Sequence, residues 1–246
     1  MASREEFERA GVWLFRHRSY LPLLLLALIV PALAQHERPA AHGAQHVPWE
    51  ILCFSISLTG LAIRAAVQAY APTGTSGRTT DKPAADALNT SGLYSVVRHP
   101  LYVGNSLMVL GVTLFPGVWW CPVIGALCLA LYYERIMFAE EEFLRRRFGD
   151  AWMAWSARTP MFWPDLRRWR SPSGTCSTRR ILRREYSALF GLAAAFAVMD
   201  AVGNFFLHGR LVIDPLWIGV FCGSAGVYIV LRTVKRSTSL LSETGR

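Results

Sequence analysis

LYVGNSLMVLGVTLFPGVWWCPVIGALCLALYY, residues 101–133, carries no charged side chain over thirty-three positions. As one helix it would extend about 50 Å at about 1.5 Å per residue, well beyond a hydrocarbon core of about 30 Å. Phe115-Pro116-Gly117 interrupts it near the middle, and a proline inside a helix removes a hydrogen bond and crowds the preceding turn. The stretch therefore predicts a helical hairpin that enters a membrane and returns. Charge agrees. Arg98 precedes the run and twelve arginines lie between Arg135 and Arg184 after it. Basic residues mark cytoplasmic loops, and only a hairpin puts both flanks on that side.

Working outward, four further apolar runs occur at Ser19 to Ala34, Ile51 to Tyr70, Tyr186 to Leu207 and Pro215 to Leu231. With the two arms of the hairpin they predict an all-α, polytopic integral membrane protein of about six transmembrane helices, both termini cytoplasmic. A bacterial inner membrane is expected rather than the endoplasmic reticulum. With 246 residues, 52% hydrophobic and only 17% charged, the chain is no ordinary soluble domain. Its net charge of +9 comes largely from 24 arginines among 26 basic residues, set between the apolar runs. That placement draws anionic lipid headgroups and excludes the continuous basic face of a nucleic-acid binder. Five cysteines form no Cys-x-x-Cys pair, and four of them fall in apolar stretches, so neither a disulfide framework nor a metal site is expected.

Four segments follow: an N-terminal segment with the first span (1–48), a membrane core (49–164), a basic linker (165–184) and a two-helix extension (185–246). The first run ends Ala32-Leu33-Ala34 after Arg16 and Arg18, which resembles a signal-peptide cleavage site, but Glu5, Glu6 and Glu8 argue against cleavage. Pro72 to Gly92 reads as a loop. Its Thr73-Gly74-Thr75-Ser76-Gly77-Arg78 stretch is not a P-loop. From 136 to 155, Ile136, Met137, Leu144, Phe148, Trp152 and Trp155 recur at helical spacing opposite Arg145, Arg146 and Arg147, which predicts an amphipathic helix at the membrane surface.

On that helix Glu141 can pair with Arg145, and Glu142 with Arg146. Glu140 has Met137, Phe143, Leu144 and Ile136 as helical neighbours and lies on the apolar side. A carboxylate there needs a partner beyond its own helix, which leaves open an ion pair with another span or a ligand role. Arg98-His99-Pro100 opens the hairpin, with Pro100 suited to a first helical turn and the following amides pointing to the interface, so either an anionic ligand or lipid phosphate fits there. Gly104 and Gly111, seven apart, permit close approach of a helix or a ligand. Arg64 and Asp200 are ionisable residues within spans; Arg64 can snorkel, and Asp200 can pair across helices with Asn204 one turn on.

Gly92-Leu93-Tyr94-Ser95-Val96-Val97-Arg98-His99-Pro100-Leu101-Tyr102-Val103-Gly104, then an apolar hairpin, then Glu140-Glu141-Glu142-Phe143-Leu144 and Phe148-Gly149, closely resembles the isoprenylcysteine carboxyl methyltransferase and phospholipid methyltransferase family. The resemblance covers about Gly60 to Pro164. It implies S-adenosylmethionine as cofactor, bound by Arg98, His99, Pro100, Tyr102, Gly104, Glu140 and Glu141, with Arg98 and His99 as the catalytic candidates. It moves Glu141 from a surface ion pair into the site. Departures lie toward the acceptor side: Trp152 and Trp155 stand at positions usually tyrosine, and Met161 where a basic residue is usual.

The implied function is methyl transfer to a lipid or lipidated acceptor, a carboxylate or an amine, at the cytoplasmic membrane face, with positioning as the main catalytic device and no metal. An amine must first lose a proton, and His99 is the nearby imidazole that can take it. Two alternatives stay open: a membrane reductase of the sterol type using reduced nicotinamide, and a non-catalytic lipid-binding or transport protein.

Overall fold

The apolar runs fold as helices, and glycine and proline set where they stop. A computed structural model describes residues 2–18, 24–35, 46–70 and 85–237; the predicted Thr73 to Arg78 stretch lies outside them. Among the described residues the chain is all-helical, with α1 (Ala2–Arg16), α2 (Leu26–Ala34), α3 (His46–Tyr70), α4 (Leu93–Val96), α5 (Pro100–Leu114), α6 (Trp120–Phe148), α7 (Asp150–Ser156), α8 (Thr178–His208) and α9 (Pro215–Ser237). Four of these, α3, α6, α8 and α9, are long and apolar enough to cross a membrane. The protein is a polytopic integral membrane protein.

The hairpin is present. α5 ends at Leu114, the Gly117 amide donates to Leu114 O at 2.9 Å with Gly117 at φ 73°, and α6 starts at Trp120. Its arms are unequal. With 15 residues α5 extends only about 22 Å, less than a full span, whereas the 29 residues of α6 extend about 43 Å and overshoot one. Against the about six transmembrane helices expected, four helices among the described residues are of crossing length, and the hairpin arm α5 is shorter than one.

The separate amphipathic helix expected over 136–155 is a second correction. Nothing between Tyr133 and Phe148 breaks a helix, so α6 runs on through Ile136 and both carboxylates to Gly149. There φ is 50°, a left-handed value that a side chain resists, and the chain turns into α7. What covers the emergent part of α6 is α1: Phe7 meets Phe138 edge-on at 5.3 Å, Glu8 pairs with Arg146 at 2.7 Å, and Arg4 with Glu142 at 2.5 Å.

α3 and α5 pack most intimately. A side chain at Gly104 would stand 2.7 Å from Gly60 O, and one at Gly111 would stand 2.2 Å from Cys53 O, so both glycines let backbones touch. One end of the bundle is basic, gathering α1, α7 and the starts of α5 and α8. The opposite end joins Trp120 Nε1 to Gln35 Oε1 (3.0 Å) and Trp217 Nε1 to Glu50 Oε2 (2.8 Å) above a core of Phe115, Phe196 and Trp217.

Candidate active site

The overshoot of α6 brings two consecutive carboxylates beside the start of α5. Consecutive helical residues point about 100° apart, so Glu140 and Glu141 address different partners. Glu141 receives the Arg98 guanidinium (Nη1 to Oε2, 2.9 Å) and the His99 ring (Nε2 to Oε1, 3.0 Å). Glu140 receives the Tyr102 hydroxyl at 2.8 Å and faces His99 Nδ1 at 3.5 Å. His99 is buried between them, while the carboxylates stay partly open, 22% for Glu140 and 17% for Glu141. Arg98 Nε is buried with no partner among the described residues.

Burial pushes the His99 pKa down, but the hydrogen bonds and charges of Glu140 and Glu141 outweigh it, and the imidazole ends above its ordinary value. Tyr94, buried and exposed to the Glu140 charge, is held well above the usual phenol range.

Arg98, His99, Tyr102, Glu140 and Glu141 thus converge. Pro100 is buried at the first position of α5. Gly104 does not face this cluster: it sits on the α3 seam against Gly60 and Arg64, and helix packing accounts for it. At the helix start the Tyr102 amide is already taken up, donating to His99 O at 3.1 Å within the first turn. The pairing of Glu141 with Arg145 read from spacing is replaced by Arg98 and His99. Arg145 goes to Glu142 instead, at 2.8 Å, and Arg146 meets the same carboxylate at 3.2 Å, the pair read from the spacing.

Residues not singled out from the sequence complete the surroundings. The Tyr133 ring lies 4.7 Å from that of Tyr102, and both belong to a cluster with Phe15, Leu129, Ile136 and Met137. Tyr133 stands seven residues before Glu140, two turns along the same helical face, and that spacing was the available signal. No local pattern pointed to Phe15, which arrives from α1. Trp155 Nε1 donates to Tyr94 O at 3.1 Å, fixing the segment that leads into Arg98.

The intramembrane charges have structural partners. Arg64 bonds both oxygens of Glu185 (3.1 and 3.2 Å) and the side chain of Asn105, tying α3, α5 and α8 together. Asp200 accepts from Asn204 (3.3 Å) and from the Asp214 amide (2.7 Å) at the start of α9. Glu50, Asp200 and Asp214 bring carboxylate oxygens within 4.8 Å of one another, a spacing compatible with a cation.

Residues 51–151 match the profile of the phospholipid methyltransferase family. The chain is similar to the cobalt-zinc-cadmium resistance protein CzcN of Cupriavidus metallidurans, 31% identical over 122 residues, 50% of this chain and 54% of the relative. It is similar to the nickel-cobalt-cadmium resistance protein NccN of Alcaligenes xylosoxydans xylosoxydans, 28% identical over 166 residues, 67% of this chain and 68% of the relative. A third relative is the protein-S-isoprenylcysteine O-methyltransferase of Schizosaccharomyces pombe, 29% identical over 109 residues, 44% of each chain. The matched part therefore spans about half the length of the first and third of these. No solved structure matches significantly. The matched segment runs from α3 to the start of α7 and contains the whole Arg98 to Glu141 cluster, so the cluster lies within the part of the chain that matches the phospholipid methyltransferase family.

Proposed function

We propose that the protein transfers a methyl group from S-adenosylmethionine to a lipid or lipidated acceptor, with the basic end of the bundle facing the cytosol. The observation that carries this reading is the convergence of Glu140 and Glu141 with Arg98, His99 and Tyr102 at one mouth of the bundle, inside the segment that matches the family. The isoprenylcysteine O-methyltransferase relative supports the same chemistry.

The residues present fit the cofactor. It carries an ammonium, a carboxylate, ribose hydroxyls and a sulfonium. Glu140 and Glu141 accept from the cationic and hydroxyl groups, and Arg98, whose buried Nε lacks a described partner, suits the carboxylate. The paired rings of Tyr102 and Tyr133 present aromatic faces to a cation. When bound, S-adenosylmethionine supplies an electrophilic methyl group.

The chain's own contribution is orientation and exclusion of water. His99 faces carboxylates with both ring nitrogens and is biased toward its charged form, so its role is to hold Glu140 and Glu141 in register rather than to take a proton from the acceptor. That arrangement favours a carboxylate acceptor, which needs no general base, over an ammonium.

The test is isothermal titration of S-adenosylmethionine into the detergent-purified protein and its Glu140→Gln variant. Binding by the wild type and its loss in a folded variant is the expected result. A folded wild type that ignores S-adenosylmethionine but binds reduced nicotinamide would overturn the reading in favour of a reductase.

A further inference from the structure

A concavity lies at the basic end and shares no residue with the Glu140 and Glu141 cluster. Its volume is about 530 Å³, and its walls carry Arg158, Arg167, Arg168 and Arg170 between Trp155 and Trp169. We propose that this pocket binds the phosphate of an anionic phospholipid in the adjoining leaflet, as a lipid site separate from the methyl-transfer centre.

The pocket is built into the fold. Its loop is strapped to the segment that precedes Arg98: the Gly92 amide donates to Arg170 O (3.0 Å), the Arg170 amide to Ser95 Oγ (2.9 Å), the Asp165 amide to Val96 O (3.0 Å) and the Arg98 amide to Pro160 O (2.9 Å). From the other side Trp155 is anchored on Tyr94 O. Both walls are therefore held by hydrogen bonds within the protein before any ligand arrives.

Charge is uncompensated there. Among the described residues no acidic one lines the cavity. The neighbouring Asp165 is occupied by Arg168 at 2.7 Å, and no ion pair to an acid engages Arg158, Arg167 or Arg170 among the described residues. Three arginines without an acidic partner and two tryptophans in one cavity lining call for an anion with several acceptor oxygens, which a phosphodiester provides in the planar geometry arginine prefers.

Apolar surroundings select a lipid over a soluble anion. Met153, Trp163, Leu166 and Trp169 are all exposed around the same loop, Trp163 at 81% and Leu166 at 72%. Large apolar side chains interleaved with arginines beside a membrane span are the pattern of an interfacial anchor, with the charges at headgroup level and the indoles and leucine toward the acyl boundary. A pocket for free phosphate has no use for that apolar fringe. The proposal rests on the membrane-spanning fold alone and survives or fails independently of the methyl-transfer reading.

The test is native mass spectrometry of the full chain in neutral detergent, titrated with phosphatidylglycerol or with phosphatidylcholine, comparing wild type with Arg158→Gln/Arg167→Gln/Arg170→Gln. A control removes three exposed arginines elsewhere at the basic end, Arg147→Gln/Arg179→Gln/Arg183→Gln. The wild type and the control should retain one phosphatidylglycerol in preference to phosphatidylcholine, and the pocket variant should lose that preference by roughly tenfold to a hundredfold, since each basic residue near an anionic surface contributes about fivefold. Equal loss in the control would mean diffuse surface charge and would overturn the pocket, as would an unchanged preference in the pocket variant. Displacement of the lipid by inorganic phosphate at comparable concentration would reassign the pocket to a soluble anion.

Discussion

Each end of the bundle gathers carboxylates, and the two groups differ in what they are bonded to. At the basic end Glu140 and Glu141 meet side-chain donors only, a guanidinium, an imidazole and a phenol, and remain partly open. At the opposite end Glu50 is 4% exposed and Asp200 fully buried, and their partners include an indole, an amide side chain and a helix-starting backbone amide. Donors on side chains can be exchanged for those of a ligand. A backbone amide at a helix start cannot leave without undoing the helix. Burial and donor type thus set the cluster proposed to bind the cofactor apart from a structural staple of similar size.

The largest expected effect lies on the open side of that comparison. Glu140→Gln should abolish detectable S-adenosylmethionine binding, by about two orders of magnitude or more, with little change in the unfolding midpoint; a large fall in stability would erase the contrast between the ends. Asp200→Ala should do the reverse. It removes the acceptor of the Asp214 amide and one of the Asn204 hydrogen bonds, Asn204 keeping Val212 O, at a cost of about 1–3 kcal/mol, read as reduced resistance to thermal unfolding in detergent while cofactor affinity is kept.

Gly104→Ala sharpens the boundary between site and scaffold. A methyl group 2.7 Å from Gly60 O forces α3 and α5 apart, and overpacking of this kind costs about 1–3 kcal/mol. The stability loss should come with at most a modest loss of affinity. Affinity lost at unchanged stability would instead return Gly104 to the cofactor pocket. Tyr102→Phe removes one hydrogen bond to Glu140, about 1 kcal/mol, and calorimetry should show a several-fold weaker cofactor with the aromatic stack intact.

The smallest effect is in pH. The folded pKa of His99 is raised above its ordinary 6.5, so the stability it contributes is complete below about pH 6.5 and is lost as pH rises through the folded value. The gap in thermal midpoint between wild type and His99→Asn should therefore be widest in mild acid and shrink with rising pH. A gap that widens with pH would mean that His99 sits neutral between its carboxylates.

Much of this was legible along the chain. An uncharged stretch of thirty-three residues with Pro116 and Gly117 at its centre has one economical fold in a membrane, and the hairpin is found there. Glu140 betrayed itself by lacking a basic neighbour one turn away. Less legible was anything set by a partner distant in sequence. Glu141 had a plausible local mate in Arg145, and only the approach of α5 shows that Arg98 and His99 take it. α6 was read as two helices because its polarity changes at Ile136, yet polarity governs what surrounds a helix and only a backbone break ends one. That break waits for Gly149.

By itself the sequence determined the membrane class, the hairpin, the basic side and the residue types able to hold a charged cofactor, since these follow from transfer energies and local backbone chemistry. Tertiary structure alone decided which donors meet Glu140 and Glu141, that Gly104 serves a helix seam, that α1 covers the emergent end of α6, and that Asp200 staples α9. Those outcomes depend on which helices touch, and contacts between separate helices leave no periodic trace in the chain.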